Sequence, residues 1–250
     1  MSRVLTEKEY EIHFYEVNYK KKALMTSLID YFNDVAIYQS EELGVGLDYL
    51  LERNMAWILY KWDITIKEYP KIGDKIKVRT LPYSLRKFYA YRKFYILDAE
   101  GKTIAEANSV WMLIDIKNKR PIRVNEELVK AYGLENNAGE SLKIENIDKI
   151  QRIDNEILFK VRYSDIDTNG HVNNEKYAAW MIESIPKDVV LNYTLVNIKI
   201  TYKKETKYGE NIKVLTQRNE SEDEIVFIHQ IVKDEEELTL GHTVWRKNKI

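Results

Sequence analysis

The densest chemistry in this chain lies between Arg162 and Tyr177, where RYSDIDTNGHVNNEKY gathers Asp165, Asp167, Asn169, His171, Asn173 and Asn174. Three kinds of chemistry fit such a cluster. Asp165, Asp167, Asn169 and Gly170 match the first half of a calcium loop, whose twelfth position should be a bidentate Glu. That position is Lys176, a cation, and the preceding LFKVRY reads as a strand rather than a helix. Calcium is set aside on both grounds. Asp and Asn also make turns and helix N-caps, and Gly supplies a left-handed residue. Turn formation accounts for two or three of these residues but not for His171. The third reading is hydrolytic: a carboxylate, an amide and an imidazole beside a helix N-terminus, with its free N–H groups and positive dipole end.

The elements that position this segment occur twice. ITIKEYPKIGDKIKVRT (Ile64 to Thr80) and ITYKKETKYGENIKVLT (Ile200 to Thr216) align without gaps at an offset of 136, with nine of 17 positions identical. SVW at Ser109 recurs as TVW at Thr243, an offset of 134, and Tyr15-Glu-Val-Asn-Tyr19 is matched to Phe159-Lys-Val-Arg-Tyr163, an offset of 144. Three matches in consistent order indicate a tandem duplication, with the second copy about eight residues shorter near its helix. At the 144 offset Asp167, Asn169 and His171 fall opposite Ala23, Met25 and Ser27. A turn required by the fold should carry its polar groups in both copies, so this asymmetry favours chemistry over turn formation.

Each copy reads as a short strand, a helix and then consecutive strands. Met25, Leu28, Ile29, Phe32 and Val35 keep helical spacing, with Gly44 at the expected C-cap. Alternation follows through Trp57 to Ile66, around Ile76 and Val78, over Phe88 to Leu97 and over Ile104 to Ile116. In the second copy Tyr177, Trp180, Met181 and Ile185 predict a shorter helix stopped by Pro186, with strands near 193–204, 211–218, 224–233 and 238–247. That order predicts an α+β fold with an antiparallel sheet. The stretch Asn136-Asn-Ala-Gly-Glu140 is the expected linker, dividing the chain into residues 1–138 and 139–250.

Bulk properties narrow the setting. A 44% hydrophobic chain of 250 residues can bury a large core. Lys plus Arg (39) nearly cancels Asp plus Glu (40), so no global field selects nucleic acid or an anionic membrane. No apolar run approaches the roughly 18 residues that span a bilayer, nothing resembles a signal peptide, and a cytoplasmic location is expected. Zero cysteines exclude a disulfide framework, a thiolate zinc site and a cysteine nucleophile. His13, His171, His229 and His242 show no metal-ligand spacing, and no cofactor is expected.

DIDTNGHVNNEKYAAWMIESIP resembles the signature of the plant and bacterial fatty acyl-ACP thioesterases, D-x-N-x-H-V-N-N followed by K-Y and W-x-x-E-S-x-P. NMAWILYKWDITIKEYPKIGD and SVW with the following NKRPIRV are similar to that family's first half, so the resemblance covers residues 10 to 250. It implies a tandem hotdog fold, each repeat a helix wrapped by a curved antiparallel sheet. It also implies hydrolysis of fatty acyl-ACP, with acyl carrier protein as partner. The family's functional Asp, Asn and His fall on Asp167, Asn169 and His171, and a further acid falls on Glu205 in YKKET. The cysteine often found after that acid is Thr206 here, which leaves a water-based mechanism. The resemblance assigns chain selection to the N-terminal half, where Met25, Met55, Trp57, Tyr60 and Trp62 are the expected acyl-binding residues. Docking of an acidic carrier would use a basic patch drawn from Arg86, Lys87, Arg92 and Lys93, Lys117 to Arg123, and Lys203, Lys204 and Lys207. An acyl-CoA thioesterase, which shares the GHVNN core, and a non-catalytic acyl-binding protein on the same fold are the alternatives. A homodimer is compatible with the sequence, which does not fix the oligomeric state.

Overall fold

The computed structural model describes residues 4–135, 142–167 and 170–248. Two compact units make up the chain: Met1–Tyr60 with Lys67–Ile144, and Lys61–Ile66 with Glu145–Ile250. The expected linker, Asn136 to Gly139 and Glu140, lies outside the described residues.

The first unit runs β1 (Thr6–Glu11), α1 (Met25–Glu42), α2 (Leu47–Glu52), β2 (Met55–Ile66), β3 (Lys75–Arg86), β4 (Tyr89–Leu97), β5 (Thr103–Asp115), β6 (Arg120–Pro121) and α3 (Glu126–Ala131). The strands are ordered β1-β3-β4-β5-β2, with β6 on β5. The buried residues of α1 (Met25, Leu28, Ile29, Phe32, Val35 and Ala36) follow the helical period read from the sequence. They face a sheet interior that includes Ile76, Val78 and Phe94, and Phe32 meets Phe94 with ring centroids 5.2 Å apart. After Glu42, Gly44 takes φ +69 while its N–H donates to Glu41 O and the Val45 N–H to Ser40 O, closing the helix.

The second unit runs β7 (Asn155–Lys160), α4 (Asn174–Glu183), α5 (Lys187–Asn192), β8 (Tyr193–Tyr202), β9 (Asn211–Glu220), β10 (Glu224–Lys233) and β11 (Glu236–Lys247). Its order, β7-β9-β10-β11-β8, repeats that of the first unit strand for strand. Lys61–Thr65 of β2 clusters here, antiparallel to Asn197–Thr201 of β8. Ala178 and Met181 of α4 are fully buried against β11, where a Cβ on Gly241 would stand 2.3 Å from Met181 Sδ. Glycine at that point lets helix and strand close up. The short helices α2, α3 and α5 have too few residues to show a period, and sequence patterning does not reveal them.

One alignment drawn from the sequence is corrected by the structure. Thr6 opens the strand that Asn155 opens in the second copy, and the isolated bridge Val17–Ala23 recurs as Ile166–Val172, an offset of 149 rather than 144. The β1–β3 register Thr6↔Thr80 recurs in β7–β9 as Asn155↔Thr216, so beyond the helix the offset is 136 as read. The second copy is therefore 13 residues shorter across its helix, in keeping with α1 having 18 residues and α4 ten. Asp167 and His171 stand opposite Asn18 and Lys22, not Ala23 and Ser27.

Candidate functional site

Between β7 and α4 the described residues make two successive turns. A single 3₁₀ turn, Tyr163–Asp165, follows the strand, and Asp165 folds back on its start. Its carboxylate accepts from the Arg162 N–H at 2.8 Å and from Arg162 Nη2 at 2.8 Å. Burial alone would raise this carboxyl, but the guanidinium and amide donors of Arg162 hold it below the ordinary range. Asp165, the first would-be calcium ligand, is thus committed to an arginine. His13 and Glu16 occupy the same two places in the first copy, where the His13 N–H donates to Glu16 Oε2 at 2.6 Å.

The next turn is also shared. The Asp167 N–H donates to His171 O at 2.8 Å, the Gly170 N–H to Asp167 O at 3.1 Å, and the His171 N–H to Asp167 Oδ1 at 3.3 Å. In the first copy the Asn18 N–H donates to Lys22 O at 2.8 Å, the Lys21 N–H to Asn18 O at 2.8 Å, and the Lys22 N–H to Asn18 Oδ1 at 3.2 Å. Lys21 even takes the left-handed φ of +60 that Gly170 holds at +78. An Asp or Asn at this point is a turn former in both copies. The expectation that the polar set belongs to one copy alone therefore fails for Asp167. It holds for His171, which replaces Lys22. Asn169 lies outside the described residues.

Glu205 comes from the loop between β8 and β9. Its Oε2 lies 3.1 Å from His171 Nε2, with the two side chains 53% and 38% exposed. Tyr69 occupies the equivalent loop position in the first copy, so this imidazole–carboxylate pair occurs in the second copy only. The buried Tyr177 ring packs edge-on against Trp180 and Tyr202, and burial pushes its phenol up. Tyr202 Oη donates to Asn174 O at 2.9 Å, tying the first turn of α4 to β8. The amides of Gly170, His171, Asn173 and Glu175 are all engaged within the segment. Among the described residues those of Val172 and Asn174 are the uncommitted donors of this stretch.

The expected acyl-binding residues do not form one group. Met55 and half-buried Trp57 share a cluster with Val45, Leu50, Leu85 and Leu113. Met25 is buried at the start of α1, Tyr60 stacks on Tyr89 at 6.0 Å, and Trp62 is fully buried in the part of β2 that clusters with the second unit. Arg92 leaves the basic patch, because it is buried against Gln39 and Thr80. Lys203 and Lys204 are paired with Glu237 and Glu236. Among the described residues no group of three or more His, Asp or Glu side chains could hold a metal ion, and no helix is long and apolar enough to cross a membrane.

Two family profiles match the chain in succession: Acyl-ACP thioesterase N-terminal domain over residues 3–132, and Acyl-ACP thioesterase C-terminal domain over residues 147–247. The chain is 26% identical to the chloroplastic acyl-(acyl-carrier-protein) hydrolase FATB3 of Cuphea viscosissima, over 95% of this chain and 61% of that protein. It is 24% identical to the chloroplastic oleoyl-acyl carrier protein thioesterase 2 of Arabidopsis thaliana, over 96% of this chain and 76% of the relative. The chain thus spans less than two thirds of the Cuphea protein. Among solved structures, a protein provisionally designated an oleoyl thioesterase from Lactobacillus plantarum superposes with a TM-score of 0.94 at 26% identity, covering 99% of this chain and 98% of that one. The 12:0-ACP thioesterase of Umbellularia californica superposes with a TM-score of 0.85 at 18% identity, over 98% of both chains. The fold is the tandem hotdog that the sequence resemblance implied.

Proposed function

Because this chain belongs to the acyl-ACP thioesterase family, we propose that it hydrolyses the thioester of a fatty acyl group on acyl carrier protein, releasing free fatty acid and the carrier thiol. The observation that carries the mechanism is the contact of His171 Nε2 with Glu205 Oε2 at 3.1 Å, present in one copy of the repeat. A carboxylate that accepts from Nε2–H keeps the proton there and leaves Nδ1 basic, so that the imidazole can take a proton from water. The water oxygen then bonds to the thioester carbon and the carbonyl electrons move to oxygen. When that oxyanion collapses, the C–S bond breaks and the imidazolium returns its proton to the departing sulfur.

The developing oxyanion needs donors, and one well-placed donor is worth about 10²-fold or more in rate. The Val172 and Asn174 amides, beside the start of α4, fill that role. Asn169 orients the water or the carbonyl. Asp167 shapes the turn that leads to His171, and Glu205 is the acid of the reacting pair. The acyl chain is selected by the N-terminal half, residues 1–138, in which Met25, Met55, Trp57, Tyr60 and Trp62 are the selectors, and catalysis belongs to residues 139–250. The acidic carrier docks on exposed Arg86, Lys87, Lys119, Arg120 and Arg123. The reaction needs no metal or redox cofactor, and a cysteine-free chain suits a cytoplasmic setting.

Thiol release from a panel of acyl-ACPs, read with a colour reagent, tests the activity. The chain should turn over at least one chain length on carrier protein with a higher kcat/KM than on the matching acyl-CoA. His171→Ala and Glu205→Gln should each lower kcat by about 10²-fold or more. No turnover of any acyl-ACP refutes the activity, and unchanged rates in both variants refute the mechanism.

A further inference from the structure

Glu205 must stay beside His171 although its side chain is half exposed and free to rotate. The loop that carries it is braced from one point. Glu210 Oε2 accepts from Thr206 Oγ1 at 2.7 Å and from the Lys207 N–H at 3.0 Å, while its Oε1 accepts from Lys233 Nζ at 2.7 Å. Thr206 is fully buried and directly follows Glu205 in the chain. Lys233 first, then the Thr206 hydroxyl, brings the Glu210 carboxyl down to about 2, which keeps it an anion at ordinary pH.

The first copy separates what the turn needs from what has been added. Asp74 takes the place of Glu210: its Oδ2 accepts from the Lys71 N–H at 2.7 Å, and its own N–H donates to Lys71 O at 3.0 Å. The Glu210 N–H donates to Lys207 O at 3.2 Å, and Gly73 and Gly209 both have φ +82. The backbone turn is the same in both copies. Pro70 stands where Thr206 stands, however, and Asp98 follows Leu97 at the register position where Lys233 follows Val232. The buried hydroxyl and the cation occur only in the copy that also has an acid in place of Tyr69.

We propose that Glu210, gripping Thr206 and Lys233, is a positioning residue that fixes the peptide of Glu205 so that its carboxylate meets His171. This rests on the reading in which the His171–Glu205 pair activates water. Glu210 touches no reacting atom. It acts by limiting where the Glu205 backbone can stand, and reacting groups lose rate steeply when misplaced.

The test uses Thr206→Val, Thr206→Ser and Glu210→Gln, each alone and combined with Glu205→Gln, assayed on the acyl-ACP that gives the highest rate in the chain-length panel. Thr206→Val and Glu210→Gln should each lower kcat about tenfold, with KM changed less than about twofold, as expected for misplacement rather than lost binding. Thr206→Ser restores the hydroxyl and should recover kcat to within about twofold of the parent. In the Glu205→Gln background neither substitution should lower kcat further, because the group being positioned is gone. Undiminished kcat in Thr206→Val and Glu210→Gln, or the same proportional loss with Glu205 replaced, overturns the proposal. Thermal midpoints report folding, and if Glu210→Gln fails to fold, Thr206→Val, close in shape, decides alone. A Glu205→Gln variant with undiminished kcat brings down the reading of the pair and this inference with it. A damaged Glu205→Gln beside unaffected Thr206 and Glu210 variants brings down this inference only.

Discussion

His229 lies on β10 in the interior of the second unit, fully covered, with Nε2 2.9 Å from Thr243 Oγ1 and Nδ1 3.4 Å from Ser184 Oγ. Ser184 caps α4 and donates to Met181 O at 2.7 Å, so this imidazole ties the end of the helix to the sheet. Burial, with His242 adding to it, pushes the His229 imidazole down to about 3. In the unfolded chain an imidazole titrates near 6.5. The folded value is the depressed one, so the unfolded chain takes up the proton first. The contribution of His229 is complete above about pH 6.5 and is lost at about 1.4 kcal/mol per unit as pH falls toward 3. From pH 6.5 to 5 the loss is about 2 kcal/mol, a large fraction of a typical stability of about 5–15 kcal/mol. His242 is shifted the same way, by burial and then by Lys199, against the opposing pull of Asp63, Glu145 and Asp148. Urea unfolding at pH 7 and pH 5 should therefore show the wild type losing about 2 kcal/mol more than His229→Gln, which cannot titrate. Equal acid losses in the two proteins would refute the assignment.

Asp167→Asn should leave the thermal midpoint within about 2 °C of the parent, because Asn18 already makes the same turn in the first copy. Any loss of kcat in that variant is then chemical, whereas a large drop in melting temperature would show that the charge holds the turn. Arg92→Met removes the donors to Gln39 Oε1 and Thr80 Oγ1 inside the first unit. It should cost about 1–3 kcal/mol in a denaturant titration, and a neutral result would mean that both acceptors find other partners. Raising ionic strength should raise KM for acyl-ACP more than for the matching acyl-CoA; an equal rise removes the basic docking patch from the account.

The duplication was legible because strands β3 and β9 keep residue identities at a constant offset, and the helix and strand periods marked most of the main elements. The region before each helix was misaligned for a definite reason. There the two copies conserve hydrogen-bond geometry rather than residue type: Asn18 and Asp167 make one turn, Lys21 and Gly170 one left-handed residue, Glu16 and Asp165 one fold-back. The spacing of His13 to Glu16 against Arg162 to Asp165 was a signal that could have set the offset of 149. Glu210 was passed over because nothing local distinguishes it from any exposed acid after a glycine.

What the sequence determined by itself is the repeated unit, the alternating strands, the polar segment before α4 and the exclusion of cysteine chemistry. Each is a matter of composition or of local period, which the backbone enforces within a few residues. Tertiary structure decided that Asp167 makes a turn the first copy shares, that Arg92 is buried, and that Glu205 reaches His171 from another loop. Such a meeting depends on the register of β8 against its neighbours, which is set by pairings far along the chain. No pattern within either loop encodes it.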